Sequence, residues 1–246
     1  MRAFAFSRPP PPPVFMLPHD RVGLRLVTVT HQAVTRAFEI IRHDGFALAT
    51  AGENQITERL ENTLENRIRN RGEIECFDNT FFGPVSRGSE VVNFNGIKIS
   101  KKPDLVFKLR REDRADWDQT QDAIFAECKP VDAQHSLTGH YCAIGKDCTG
   151  IERFVIGDYA WAMEEAFMIG YIRGGLTITR NLKPVLADAS RHRQLGSPSE
   201  LEAVESVSLN SKTDRLHRTI HQRLFQWSNG VSASPVEIFH SWHDCS

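Results

Sequence analysis

Glu127 and Lys129 stand two residues apart in the run Ala123-Ile-Phe-Ala-Glu-Cys-Lys129, which is otherwise uncharged. On an extended strand, residues two apart project from the same face. A carboxylate and an ammonium on an apolar strand are costly unless something compensates them. Asp104 follows Pro103 at the head of a second alternating stretch, Leu105 to Leu109. Antiparallel pairing of the two stretches brings Asp104 to the Glu127–Lys129 end. Two carboxylates converging on one point suit a hard divalent cation such as Mg²⁺, with Mn²⁺ as a substitute. Such an ion polarises a phosphodiester, lowers the pKa of a bound water and offsets charge on the leaving oxygen. Lys129 would hydrogen-bond the attacking water and stabilise the developing charge. Glu53, one turn before Ile56 at a helix start, is the candidate third acid.

The elements that must position these groups follow from periodicity. Glu53 to Arg69 repeats Ile56, Leu60, Leu64 and Ile68 at helical spacing. Ala33 to Arg42 predicts another helix, and Leu24 to Thr28 a short strand. Glu73 to Ser100, with turn candidates Gly83-Pro84, Arg87-Gly88 and Asn95-Gly96, reads as hairpin-rich. Lys102 to Leu109 and Ala123 to Lys129 predict strands, and the polar run RREDRADWDQTQD between them an exposed loop. Ile151 to Ala166 predicts an amphipathic helix, Phe167 to Ile172 a strand, and Leu186 to Asn210 a polar loop. Asp214 to Trp227 predicts a helix through Leu216, Ile220 and Leu224, and Val236 to Trp242 a closing strand. The order is that of an α/β fold, a mixed central β-sheet flanked by helices.

Composition bounds the rest. The chain has 246 residues, with 30 basic and 31 acidic side chains, so a nucleic-acid partner would be met by a local surface and metal ions. Five scattered cysteines do not resemble a disulfide framework and fit a reducing, cytoplasmic setting. No apolar run is long enough to span a membrane. Residues 1–20, with prolines 9 to 13 in a row, read as a flexible proline-rich tail, followed by one domain over 21–246. Its core would cover about 50–175, with a helical and strand addition over 176–246.

Other residues were weighed as contacts. Lys101, Lys102, His135, His140 and Tyr141 are candidates for nucleic-acid binding, as are Lys146 and Arg153 for backbone phosphates. His135, His140, Cys142 and Cys148 form an H-x4-H-x-C-x5-C cluster whose spacing matches no standard zinc finger. Tyr159 and Trp161 read as core. No phosphate-cradling GxxxxGK[ST] loop is present.

The segments KKPDLVFKL, AIFAECKPVD and GIERFVIGDYAWAMEEAFMIGYI together resemble the PD-(D/E)xK superfamily of restriction-endonuclease-like nucleases over roughly Glu53 to Arg173. The resemblance is closest to bacterial, defence-associated members in which a helix and a "GY" strand follow ExK. It implies an αβββαβ core. It carries Asp104 and Glu127 over as metal ligands, Lys129 as the catalytic lysine and Glu53 as the acid of the first core helix, with the Cys128 backbone carbonyl completing the metal set. The implied activity is Mg²⁺-dependent endonucleolytic hydrolysis of DNA, with RNA left open, in anti-phage defence or restriction. The implied partners are DNA, a second copy of the chain, or another protein of a defence system. The alternative is a catalytically inactive, nuclease-like module for nucleic-acid binding or assembly. The 23 positions between Asp104 and Glu127 exceed the spacing of compact members.

Overall fold

The computed structural model describes residues 17–111, 116–145, 149–204 and 216–246. The proline run, Lys146 and Cys148 lie outside them. Seven strands form one mixed sheet, in the order β1-β2-β3-β4-β7-β6-β5. They are β1 (Phe82–Arg87), β2 (Leu105–Leu109), β3 (Ala123–Val131), β4 (Glu165–Ile172), β5 (Glu202–Ala203), β6 (His217–His221) and β7 (Val236–Asp244). β3, β4 and β7 run parallel at the centre, and the outer pairs are antiparallel. The three central strands are buried almost end to end; β3 and β4 read as nearly continuous apolar runs, whereas β7 buries Glu237, His240, Ser241 and His243 among its apolar residues. No described helix is long and apolar enough to cross a membrane.

Helix α1 (Leu24–His43) and helix α2 (Glu53–Thr63) cover one face. The sequence LRLVTVT alternates, so a strand over Leu24 to Thr28 was the local expectation. The structure corrects it: the wider pattern Val27, His31, Val34, Phe38 and Ile41 is helical, and all five side chains are buried. Phe38 stacks on His243 of β7 at 4.5 Å and meets Tyr171 of β4 edge-on. Burying such a ring contributes about 1.5–3 kcal/mol, more than local strand preference offers. α2 continues through a wide π turn, Leu64–Ile68, and a tight turn, Arg69–Arg71.

Four further expectations are corrected. The helix over Ile151 to Ala166 is only α3 (Ile151–Val155). Gly157 ends it at φ +73°, with Gly157 N–H donating to Phe154 O and Asp158 N–H to Arg153 O, the paired closure of a left-handed helix end. The stretch Asp214 to Trp227 holds β6 instead of a helix, paired with β7. Its inward residues are His217, Thr219 and His221; of the apolar residues at helical spacing Leu216 is buried but Ile220 and Leu224 are exposed, so the three do not form one buried face. The polar loop before β3 is not simply exposed. Trp117, Gln121 and Asp122 are buried in its described part, and Arg111 lies 4.3 Å over the Trp117 ring and pairs with Asp122. Gly83-Pro84 lies inside β1, not at a turn.

The feature that makes a site is a mismatch in strand length. β2 pairs with β3 only as far as Leu105↔Ala126, yet β3 runs on to Val131. From Glu127 onward one edge of β3 has lost its neighbour. Pro130, which has no N–H to donate, sits on the stretch where no ladder asks for one on that side. Between Glu53 and Ile172 the elements follow as α2 with its π and tight turns, the antiparallel β1, β2 and β3, a π turn (Leu137–Tyr141), the short α3 and the parallel β4.

Candidate carboxylate and lysine centre

At the vacated edge the backbone of Cys128 is satisfied by side chains instead of a strand. Its N–H donates to Asp104 Oδ2 at 2.8 Å. Its carbonyl accepts from the Lys129 ammonium, also at 2.8 Å. Asp104 can do this because it immediately precedes β2, where the chain turns off the ladder. The ammonium donates in addition to Glu53 Oε1 at 2.9 Å and to Asp104 Oδ2 at 3.0 Å. A lysine ammonium has three protons, and all three are now placed.

Glu127 is the fourth member and the most constrained. Its side chain has no solvent exposure. Oε2 lies 3.1 Å from Lys129 Nζ but makes no hydrogen bond. Oε1 accepts from Arg153 Nη1 at 3.3 Å. Burial drives the Glu127 carboxyl up to about 7, against the opposing pull of Lys129 and Arg153 and with a further push from Asp104. Burial also works to lower the Lys129 pKa, but the carboxylates of Glu127, Asp104 and Glu53 outweigh it and hold the ammonium charged. Solvent reaches the centre from one side: Glu53 and Asp104 are 33% and 26% exposed, against 8% for Lys129.

The four groups come from α2, the head of β2 and the middle of β3, so the sheet edge assembles them from 76 residues of chain separation. Tested as a cation site, the donor set is chemically suitable. Three carboxylates and one backbone carbonyl are hard oxygen donors, and Glu127 Oε2 is a buried anionic oxygen without a hydrogen bond. Among the described residues, no three His, Cys, Asp or Glu side chains already stand as a metal cluster. The acids are held apart by the ammonium, with oxygens 2.8–3.1 Å from Nζ. Mg²⁺–oxygen distances are about 2.0–2.1 Å, so loading requires Lys129 to swing out and the oxygens to close in. Glu53, Asp104, Glu127 and the Cys128 carbonyl would hold the ion. It would supply Lewis acidity and an activated water.

The remaining sequence candidates other than Arg153 make their contacts outside this centre. Tyr141 is corrected: it is fully buried, its hydroxyl 3.0 Å from His240 Nδ1 and 3.3 Å from Met168 O, so it does not face a ligand. Lys101 pairs with the buried Asp158, and Lys102 with Glu90. His135 is 2.8 Å from Asp132 and meets the His140 ring edge-on at 5.1 Å. Cys142 is buried, which pushes its thiol up to about 12. Arg153, weighed in sequence as a phosphate contact, proves to touch Glu127 itself. No periodicity signals that contact, because it joins α3 to β3 across 26 residues of chain.

The class that fold and site define is an α/β protein with a carboxylate and lysine centre at a vacated strand edge. No protein-family model, curated protein or solved structure matches this chain.

Proposed function

We propose that the chain is a Mg²⁺-dependent nuclease of the PD-(D/E)xK type, hydrolysing phosphodiester bonds of DNA. The observation that carries the reading is the convergence of Glu53, Asp104 and Glu127 on Lys129 at the one place where β3 lacks a neighbour. The helix, three-strand, helix, strand order around it supports the same class. In this reading Glu53, Asp104, Glu127 and the Cys128 carbonyl hold the ion. Lys129, released from their midst, hydrogen-bonds the attacking water and the phosphoryl oxygens. A scissile phosphate would approach from the Glu53 and Asp104 side, the open side of the centre. A role in defence or restriction, and a cytoplasmic setting, go with the resemblance and with the four buried free cysteines among the described residues.

A second reading is favoured by one observation. Lys129 already spends its three protons on Glu53, Asp104 and the Cys128 carbonyl, so the middle of the cluster is filled by an ammonium. An ammonium seated where a metal would stand suits a nuclease-like module that binds nucleic acid or a partner without cutting. The test is cleavage of plasmid and single-stranded oligonucleotides with Mg²⁺ or Mn²⁺ against an EDTA control. The nuclease reading expects metal-dependent products that disappear in Asp104→Ala, Glu127→Ala and Lys129→Ala while the proteins remain folded. Cleavage retained in all three sinks it, and binding without cleavage selects the second reading.

A further inference from the structure

Glu127 is flanked by two cations with unequal jobs. Lys129 faces Oε2 from within the centre, whereas Arg153 approaches Oε1 from outside it, off helix α3. A single nitrogen of Arg153 makes both of its relevant bonds: Nη1 donates to Glu127 Oε1 at 3.3 Å and to the Tyr159 hydroxyl at 3.2 Å. Tyr159 is itself immobilised, fully buried and edge-on to Phe154 at 5.2 Å. The Gly157 closure fixes the separation of Arg153 and Tyr159, since Asp158 N–H returns to the Arg153 carbonyl at 2.9 Å. The guanidinium is therefore held in place by its own helix end and a buried phenol.

We propose that Arg153 is a positioning residue that pins Glu127 Oε1 and so directs Oε2 into the cation seat. This rests on the nuclease reading above. The terminal torsion of a glutamate is broad and nearly two-fold, so nothing intrinsic distinguishes its two oxygens. In a carboxylate without solvent contact, only neighbouring donors can do so. The Lys129 protons go to Glu53, Asp104 and the Cys128 carbonyl, which leaves Arg153 as the group that hydrogen-bonds Glu127. When Lys129 leaves the seat, Arg153 stays, and the buried carboxylate keeps both its orientation and a counter-charge. A guanidinium suits this task because its planar donors are fixed in geometry and it stays protonated.

The test uses the full chain and Mn²⁺ alone as probe, with the dissociation constant measured by titration calorimetry and the half-saturating Mn²⁺ measured for plasmid cleavage. Arg153→Met is expected to weaken Mn²⁺ binding about 10–100-fold, the usual cost of removing a group that orients a metal ligand. Its kcat at saturating Mn²⁺ is expected to stay near that of the unaltered chain, and Arg153→Lys to recover part of the affinity. A packing role alone would lower the thermal midpoint without moving the Mn²⁺ constant of the folded protein, and that result overturns the proposal. Should Arg153→Met fail to fold, Arg153→Gln carries the same comparison. An unaltered chain that binds no Mn²⁺ overturns the nuclease reading and this inference together. An unaltered chain that binds Mn²⁺, with Arg153 variants binding it equally well, overturns only the inference.

Discussion

The Lys129 ammonium stands 3.1 Å from Oε2 of Glu127, a carboxylate with no exposure to solvent and no hydrogen bond on that oxygen. The pair is held chiefly by charge, because the three lysine protons point to Glu53, Asp104 and the Cys128 carbonyl. Such an arrangement is poor as a stabilising device, since desolvation of the acid is only partly offset. Under the nuclease reading it is a seat in which the ammonium stands until a metal ion replaces it.

The cost of that acid makes stability depend on pH. With its folded pKa at about 7, well above its unfolded value, the native state holds a proton that the unfolded chain has released between those limits. Stability therefore falls as pH rises from about 4.5 to 7, by at most about 3 kcal/mol from this group. The raised Lys129 pKa contributes no slope there, because the lysine is protonated in both states. Urea unfolding at pH 5, 6, 7 and 8 is expected to show Glu127→Gln gaining on the unaltered chain as pH rises. A difference that stays flat across the window contradicts this. Under the nuclease reading, Mn²⁺ affinity climbs through the same window as Glu127 ionises.

Asp104 has a structural duty as well as a place in the centre. Its Oδ2 accepts from both Cys128 N–H and Lys129. Asp104→Ala orphans a backbone donor in a fully buried residue and is expected to cost about 1–3 kcal/mol in chemical denaturation. Asp104→Asn keeps an acceptor for the Cys128 N–H and is expected to recover most of that stability while remaining inactive in cleavage.

Tyr141 belongs to a buried relay on the other side of β4. Its hydroxyl meets His240 Nδ1, His240 Nε2 meets Thr219 Oγ1, and Thr219 meets His221, whose other nitrogen faces Leu195 O. Burial lowers the pKa of both His221 and His240, His221 to about 4. Thr219→Val breaks the relay at its middle and is expected to destabilise by about 1–3 kcal/mol through unpaired buried nitrogens. Nucleic-acid affinity measured by fluorescence anisotropy is expected to be unchanged in Tyr141→Phe. A large loss of affinity in a folded Tyr141→Phe would restore a contact role to the residue.

Gly157 is the hinge of the α3 closure. A Cβ there would meet the Phe225 ring at 2.6 Å, on a backbone whose φ of +73° already disfavours any other residue. Gly157→Ala is expected to lower stability by about 1–3 kcal/mol. Under the nuclease reading it is also expected to weaken Mn²⁺ binding, because the Gly157 turn sets Arg153 against Tyr159. Calorimetric unfolding and Mn²⁺ titration of the same preparation read both effects.

Gly170 shows a related constraint in the sheet. It lies opposite both Lys129 and Trp242, and a Cβ on it would stand 2.5 Å from the Trp242 ring. The small residue lets the indole lie across β4.

The amino-acid order alone carried the central strands: β3 and β4 are buried on both faces and read as apolar runs with few interruptions, and β7 is marked by Val236, Ile238, Phe239 and Trp242 among polar residues. It also carried Glu53, Asp104, Glu127 and Lys129 as candidates, because charge is conspicuous at the head of or inside such runs. Folding in three dimensions overrode local pattern at α1, where an alternating opening yields to a helix packed on β7. It did so again at β6, where the buried side chains are polar and satisfied by a histidine relay that no hydropathy pattern registers. The shortness of β2 relative to β3, the edge this leaves at Cys128, and the reach of Arg153 to Glu127 all depend on contacts between segments distant in the chain. Local spacing cannot encode which strand ends first, because that is set by how neighbouring segments compete for the same backbone hydrogen bonds.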